Sequence, residues 1–357
     1  MENPFEYRRE MDSLAFSQEQ KTHLAESVTK AAETAKAHTL HRPMRRFVAT
    51  VAVAAVVVAA SCGAMASGFV GNAFDSVFGT AKTQVINKIG RPIGAGATCN
   101  GISVTADAII GDKYNACIVY TIKRTDGKPL GLPAGVPVKS LWFDHTDCDL
   151  HGGNPFSDQS SFGSSWFTAS KSDTNAAQYV ENISSDKPLS QGTVHADFQN
   201  LQYRVGDSQN PVTLCKGEWK LSFHSNYEDS SVALPAGQTF TRGGIGFKIK
   251  EISVSPVGMR VAYEADREAD MKEDPRNNTN GKMNLQMEAE MDRYLGVPIV
   301  ITKKDGSKLD LTNSGGNIKS GKGTTDCVRS RVFHEIIPLE EMKSITVGGV
   351  EIPVNAK

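Results

Sequence analysis

The chain has 357 residues, with 39 Lys+Arg against 40 Asp+Glu and a formal net charge of −1. At about 150 residues per domain this length gives two or three folded units, and the balanced charge argues against a nucleic-acid binder that works through a basic surface, so no direct nucleic-acid partner is expected. Hydrophobic residues at 39% and charged residues at 22% describe an ordinary globular chain, and a mean hydropathy of −0.31 excludes a polytopic membrane protein but not a single span.

Residues 1–46 read as a short cytoplasmic element. Ser17-Gln18-Glu19-Gln20 fits a capping box, the serine accepting the Gln20 amide while the glutamine side chain reaches back. Leu24, Val28, Ala31, Ala32 and Ala35 then repeat at helical spacing, with Glu19, Lys21, Glu26, Lys30 and Glu33 on the other side. Pro43 ends the helix. A lone amphipathic helix of this length is marginal in water, so Leu14, Phe16, Leu24 and Val28 form the candidate partner-binding surface. The competing reading is a spacer whose apolar side rests on lipid. The polar face is mixed in sign, whereas a membrane-surface helix is mainly basic there, which favours a protein partner.

Residues 47–66 (FVATVAVAAVVVAASCGAMA) carry no charge for 20 residues. At about 1.5 Å rise per residue such a helix crosses a hydrocarbon core of about 30 Å. Lys36, Arg42, Arg45 and Arg46 precede the run and the next charge is Asp75. The positive-inside rule therefore predicts a single-pass protein of the cell membrane, with its N-terminus in the cytoplasm and its C-terminal domains outside. Two alternatives use the same run: a signal peptide cleaved after Ala64-Met65-Ala66, or a lipoprotein acylated on Cys62. Both need an n-region of 46 residues, which favours an uncleaved anchor.

In residues 67–97, Phe74, Val77, Phe78, Val85 and Ile89 predict a short helix or two, followed by a Gly- and Pro-rich linker. From residue 98 the texture turns to β, with alternating runs at 101–110, 115–124, 137–143, 212–223, 244–254, 258–265 and 297–304. Asp126-Gly127 and Asp305-Gly306 are the clearest hairpin signals. Residues 265–282 read as a polar insertion. After it, Met283, Leu285, Met287, Ala289 and Met291 alternate strictly and predict a further strand.

An internal repeat runs at an offset of 143 residues: Gly101-Ile102-Ser103-Val104 matches Gly244-Ile245-Gly246-Phe247, Ile109 matches Ile252, and Ile118-Val119-Tyr120 matches Val261-Ala262-Tyr263. The fold class is therefore a mainly β ectodomain of two tandem immunoglobulin-like β-sandwiches, at 98–232 and 236–357, behind one transmembrane helix and a short cytoplasmic helix. Ile102, Val104, Ile118 and Tyr120 are predicted in the first core, and Ile245, Phe247, Val261 and Tyr263 in the second.

Catalytic signatures are missing. Gly316–Gly323 imitates a phosphate loop but has Gly323 where the metal-binding Ser/Thr belongs, and His334-Glu335 begins a zinc-protease motif that Pro338 interrupts. No enzyme and no cofactor are expected. The best metal candidates are His145, Asp147, Asp149 and His151, which share one face of an extended strand, although a solvated strand end is the favoured reading. Beyond the span lie five cysteines, Cys99, Cys117, Cys148, Cys215 and Cys327. An odd number allows at most two disulfides and leaves one thiol.

Taken together, three stretches resemble a family of bacterial single-pass membrane proteins associated with extracytoplasmic-function sigma factors and described as anti-sigma-factor-like. MDSLAFSQEQKTHLAESVTKAA is similar to the family's cytoplasmic helix and CNGISVTADAIIGDKYNACIVYTI to its first β domain. FKIKEISVSPVGMRVAYEA, VPIVITKKDGSKLDL and FHEIIPLEEMKSITVGGVEIPV resemble the domain that follows. The cytoplasmic part departs from zinc-binding anti-sigma domains in having no Cys. The resemblance implies a transmembrane regulator whose inner helix holds the sigma factor and whose outer domains sense or anchor. The alternatives are a membrane-anchored surface protein that binds envelope components or other proteins, with no cytoplasmic partner, and a carbohydrate- or metal-binding module on a tether. The outer ligand is not legible.

Overall fold

The structure, a computed structural model, describes residues 69–150, 159–206, 210–271 and 285–355. The predicted cytoplasmic segment and the predicted span lie outside the described residues, among which no helix is long and apolar enough to cross a membrane. Three short helices come first: α1 (Phe69–Ala73), α2 (Asp75–Phe78) and α3 (Thr83–Ile89). The expected linker after them is instead a strand, β1 (Arg91–Cys99), paired with β2 (Ile102–Gly111). Pro92 and the glycines hid it from the alternation pattern. An edge strand tolerates both, because one side of its backbone needs no partner, and β1 lies at the edge of its sheet with a bulge between Pro92 and Ala95.

The first half continues with β3 (Asn115–Arg124), β4 (Leu141–Cys148), β5 (Ser161–Ala169), β6 (Ala177–Ser185), β7 (Gly192–Tyr203) and β8 (Val212–Ser225). One antiparallel sheet has the order β1-β2-β3-β6-β5, and a second has the order β4-β7-β8. Ile102, Val104, Ile118 and Tyr120 from the first sheet and Phe143, Phe198 and Trp219 from the second share one buried cluster. Tyr120 meets Phe198 edge-on at 5.0 Å. Asp126-Gly127 makes a turn but not the expected hairpin, since the chain after β3 crosses to the other sheet at β4.

In the second half, β9 (Val232–Leu234), β10 (Thr239–Arg242), β11 (Ile245–Val254) and β12 (Gly258–Ala265) precede a helix, α4 (Leu285–Leu295). Then come β13 (Ile299–Lys303), β14 (Lys308–Asp310), β15 (Gly315–Ser320), β16 (Thr325–Val332), β17 (Met342–Val347) and β18 (Val350–Pro353). The sheet orders are β10-β11-β12-β16-β15, with β9 also on β11, and β14-β13-β17-β18. Asp305-Gly306 does close a hairpin, β13–β14. Ile245, Phe247, Val261 and Tyr263 are buried in this half's own cluster with Ile301, Ile345 and Ile352. The strand predicted over Met283–Met291 is α4 from Leu285 onward, with Met283 outside the described residues. Leu, Gln, Met, Glu and Ala are strong helix formers, so propensity overrides the short period-2 pattern. Tertiary contacts hold the helix end: Tyr263 donates its hydroxyl hydrogen to the Tyr294 carbonyl at 2.7 Å, and Arg242 donates to the carbonyls of Asp292 and Arg293 at 3.0 and 2.9 Å.

The repeat is written in the strand register. Each β11–β12 pairing, from Phe247↔Ala265 to Val254↔Met259, has its counterpart 143 residues earlier, from Val104↔Ile122 to Gly111↔Ala116. Both ladders carry a bulge at the same place, between Ala106 and Ala108 and between Ile249 and Glu251. Because a one-residue slip would turn every side chain to the opposite face, a shared register and bulge place equivalent residues in equivalent cores. Accordingly, Ile118→Ala and Ile249→Ala should each lower the unfolding free energy by about 2–5 kcal/mol in denaturant titrations, whereas Lys248→Ala on the exposed side of β11 should change it by less than about 0.5 kcal/mol.

Candidate functional site

The apolar set Leu14, Phe16, Leu24 and Val28 and the metal candidate His151 lie outside the described residues. His145 and Asp147 are exposed near the end of β4. Asp149 just beyond is tied to β7: its carboxylate accepts the His195 N–H at 2.7 Å and its own N–H donates to the His195 carbonyl at 3.0 Å. Among the described residues no group of three or more His, Cys, Asp or Glu is placed to hold a metal ion. The five described cysteines are all free thiols, so the allowance of up to two disulfides is unused. Burial pushes the Cys327 thiol up to about 12 and raises those of Cys117 and Cys148 as well. Such thiols are poor nucleophiles at neutral pH.

What the structure brings together is a joint between the two halves, built from equivalent turns. Asp112 follows β2 and Ser255 follows β11. Each side chain caps its own turn: Asp112 accepts the N–H groups of Tyr114 and Asn115 at 2.7 and 2.8 Å, and Ser255 accepts those of Val257 and Gly258 at 3.0 Å. The two caps then bond each other, the Ser255 hydroxyl donating to Asp112 at 2.5 Å. Asn115 donates its side-chain amide to Asp112 at 3.1 Å, and its amide oxygen accepts the hydroxyls of Ser184 and Ser330 at 2.8 and 2.9 Å. Gly258 is required here, because a Cβ on it would lie 2.6 Å from the Arg331 carbonyl and 2.9 Å from the Asn115 amide. At the rim, Arg260 lies over the Tyr114 ring at 4.4 Å and pairs with Glu251 at 2.8 Å, which also accepts the Tyr114 hydroxyl hydrogen at 2.8 Å.

Helices α1–α3 close the same joint from the side. Phe74, Phe78, Ile86 and Ile89 form one buried cluster with Ile110, Val119 and Val180 of the first half and Val257, Val332 and Ile336 of the second. Polar ties fix the helices: Lys82 pairs with Glu341, Ser76 with Gln178, and Gln178 and Lys171 donate to the carbonyls of Ala73 and Asp75 at 3.1 and 2.7 Å.

Where helices and halves meet, a cleft of about 380 Å³ opens. Its floor is the outer face of β5 and β6, with Phe162, Ser164, Trp166, Asn182 and Ser184; Val77 of α2 forms one wall, and Asn313, Gly315 and residues 330–334 form the other. Gly315 lets the edges of β5 and β15 approach, since a Cβ there would lie 2.3 Å from the Phe162 ring. Trp166 is 37% exposed, and the Asn182 amide oxygen is buried with no hydrogen-bond partner. The lining contains Arg331 and His334 but no carboxylate. Sequence reading missed this site. Its only trace was the uncharged run SFGSSWFTA, which places Phe162, Ser164 and Trp166 on one face of a strand.

Besides Asp112, whose pKa burial also raises, two carboxyl groups of the first half are shifted toward neutrality. Burial pushes Glu181 up to about 7, against a hydrogen bond from the Tyr120 hydroxyl at 3.0 Å, and Asp107 up to about 7, against one from Thr121 at 2.6 Å. Both hold a proton in the fold at pH values where the unfolded chain has lost it. Their stabilising contribution is therefore complete below about pH 4 and is lost as the pH rises through about 7. The denaturation midpoint should fall between pH 5 and 8, and the pair Asp107→Asn with Glu181→Gln should flatten that slope; an unchanged slope would contradict the assignment.

No family model and no curated protein matches the chain. A solved structure described as the crystal structure of the conserved domain protein from Bacillus anthracis is similar at a TM-score of 0.43 and 13% identity, over 72% of this chain and 76% of that one.

Proposed function

We propose that the chain is a single-pass membrane regulator of the anti-sigma-factor-like kind, whose cytoplasmic helix holds an extracytoplasmic-function sigma factor and whose outer β domains sense or anchor. The ectodomain is read as two immunoglobulin-like sandwiches, and the strand orders support this. Taking β2 to β8 in turn as A to G gives sheets A-B-E-D and C-F-G, the constant-type order, with β1 added at the edge. Taking β11, β12, β13, β15, β16, β17 and β18 in the same way gives A-B-E-D and C-F-G again, with β14 beside C. No catalytic role and no cofactor enter this reading.

The observation that carries it is the burial of α1–α3 in the joint. These helices begin at Phe69, just past the predicted span, and touch both halves. A protein that needs only to be tethered gains nothing from burying its juxtamembrane segment between two domains. A regulator does: any change at the joint reaches the span directly, and loss of the inner helix or proteolysis near the span would release the sigma factor. A reporter fused after residue 97 should be active only outside the cytoplasm. Peptide 1–46 should gain helicity on mixing with the sigma factor, and Leu24→Asp or Val28→Asp should abolish the complex. A peptide that binds anionic vesicles and ignores the sigma factor would replace this reading with that of a surface protein lacking a cytoplasmic partner.

A further inference from the structure

We propose that the cleft between the helices and the two β halves is a binding site for an oligosaccharide of N-acetylated hexosamines. The assignment rests on the regulator reading only in placing the cleft outside the membrane, where such polymers are met. Three features of the lining select the chemistry. Trp166 is a large ring left 37% exposed on a sheet face inside a concavity, and an aromatic face of that size packs on the C–H face of a pyranose. Beside it, the Asn182 amide oxygen is buried without a donor. A covered acceptor with no protein donor is satisfied by a water or by an N–H or O–H of a ligand that displaces it, and the N–H of an acetamido group is such a donor. Phe162 and Val77, both half-buried, offer apolar surface for the methyl of that group. The lining is about evenly polar and apolar, as suits a hydroxyl-rich ring with two apolar faces, and small-ligand sites at domain junctions run from about 300 Å³ upward.

The same lining argues against other occupants. With Arg331 present and no carboxylate, a cationic ligand would meet only repulsion. A peptide adding as a strand to β5 would need that edge clear, yet Gly315 at the start of β15 sits against Phe162. Ser184 and Ser330 are held by Asn115, and the lining has no carboxyl pair of the kind that hydrolyses glycosides, so the role assigned to the cleft is recognition alone.

The full chain in detergent is titrated calorimetrically with the hexamer of N-acetylglucosamine and, separately, with the hexamer of glucose. The N-acetylated hexamer should bind saturably and at least about tenfold more tightly than the glucose hexamer, and Trp166→Ala and Asn182→Leu should each weaken it by about tenfold or more. Trp166→Ala removes an exposed ring and keeps the test open should Asn182→Leu fail to fold. Trp142→Phe, at a ring stacked under Arg204 away from the cleft, should leave binding unchanged. Absence of saturable binding, equal affinity for both hexamers, or indifference to the Trp166 change would overturn the proposal. Failure here with the sigma-factor complex intact removes only the ligand assignment, whereas a missing sigma-factor complex with sugar bound removes only the regulator reading.

Discussion

Where the two β halves of the chain meet, a buried aspartate and a buried serine at equivalent positions of a repeated hairpin share one hydrogen bond. A carboxylate taken out of water without a partner carries a penalty of several kcal/mol or more, and the fold offsets it with donors fixed by backbone geometry. Asp112 receives two N–H groups of its own turn, the Asn115 side chain and the Ser255 hydroxyl. Even so, burial keeps its pKa raised. Removing any one donor leaves charge without compensation, so the two turns are held in one arrangement.

The duplication explains how such a joint can form. Two copies of one hairpin place like against like, and a symmetric pair of aspartates would repel. The positions have diverged into complements: Asp112 faces Ser255, and Asn115 fills the space that Gly258 leaves open. Neighbouring backbone bonds remain symmetric, with Ser185 and Leu189 donating to the first turn as Phe333 and Ile337 donate to the second. The helices that follow the predicted span then cover the joint with Phe74 and Ile86, both fully buried. This arrangement makes the cleft a place where a bound molecule would touch all three parts at once. A displacement in the cleft would be passed on to α1–α3, because packed interiors transmit displacement instead of absorbing it.

Much of this was legible in the sequence, and the rest was hidden for definite reasons. Alternation and the 143-residue offset located both hairpins and the eight core residues, since period and register leave a direct trace in residue order. Strand β1 escaped because Gly and Ala carry no alternation. Helix α4 was misassigned because its methionines satisfy two periods at once, and nothing local decides between them. The cleft was illegible because α2, the β5–β6 pair and β15 are far apart in sequence and only topology joins them. The clasp was closer to hand. Asp112 and Ser255 fall at the repeat offset and both are turn-capping residues, but that two caps would face each other is a tertiary fact.

If the clasp and the helices bind the two halves into one body, they unfold together, and that can be read in each half separately. Hydrogen exchange of β3 and β12 amides in the full chain, followed through rising denaturant, reports the two cores independently. The account predicts one shared midpoint for both strands, and a common shift of both to lower denaturant in Asp112→Ala. Separate midpoints in the native chain, with β12 unmoved by Asp112→Ala, would contradict it.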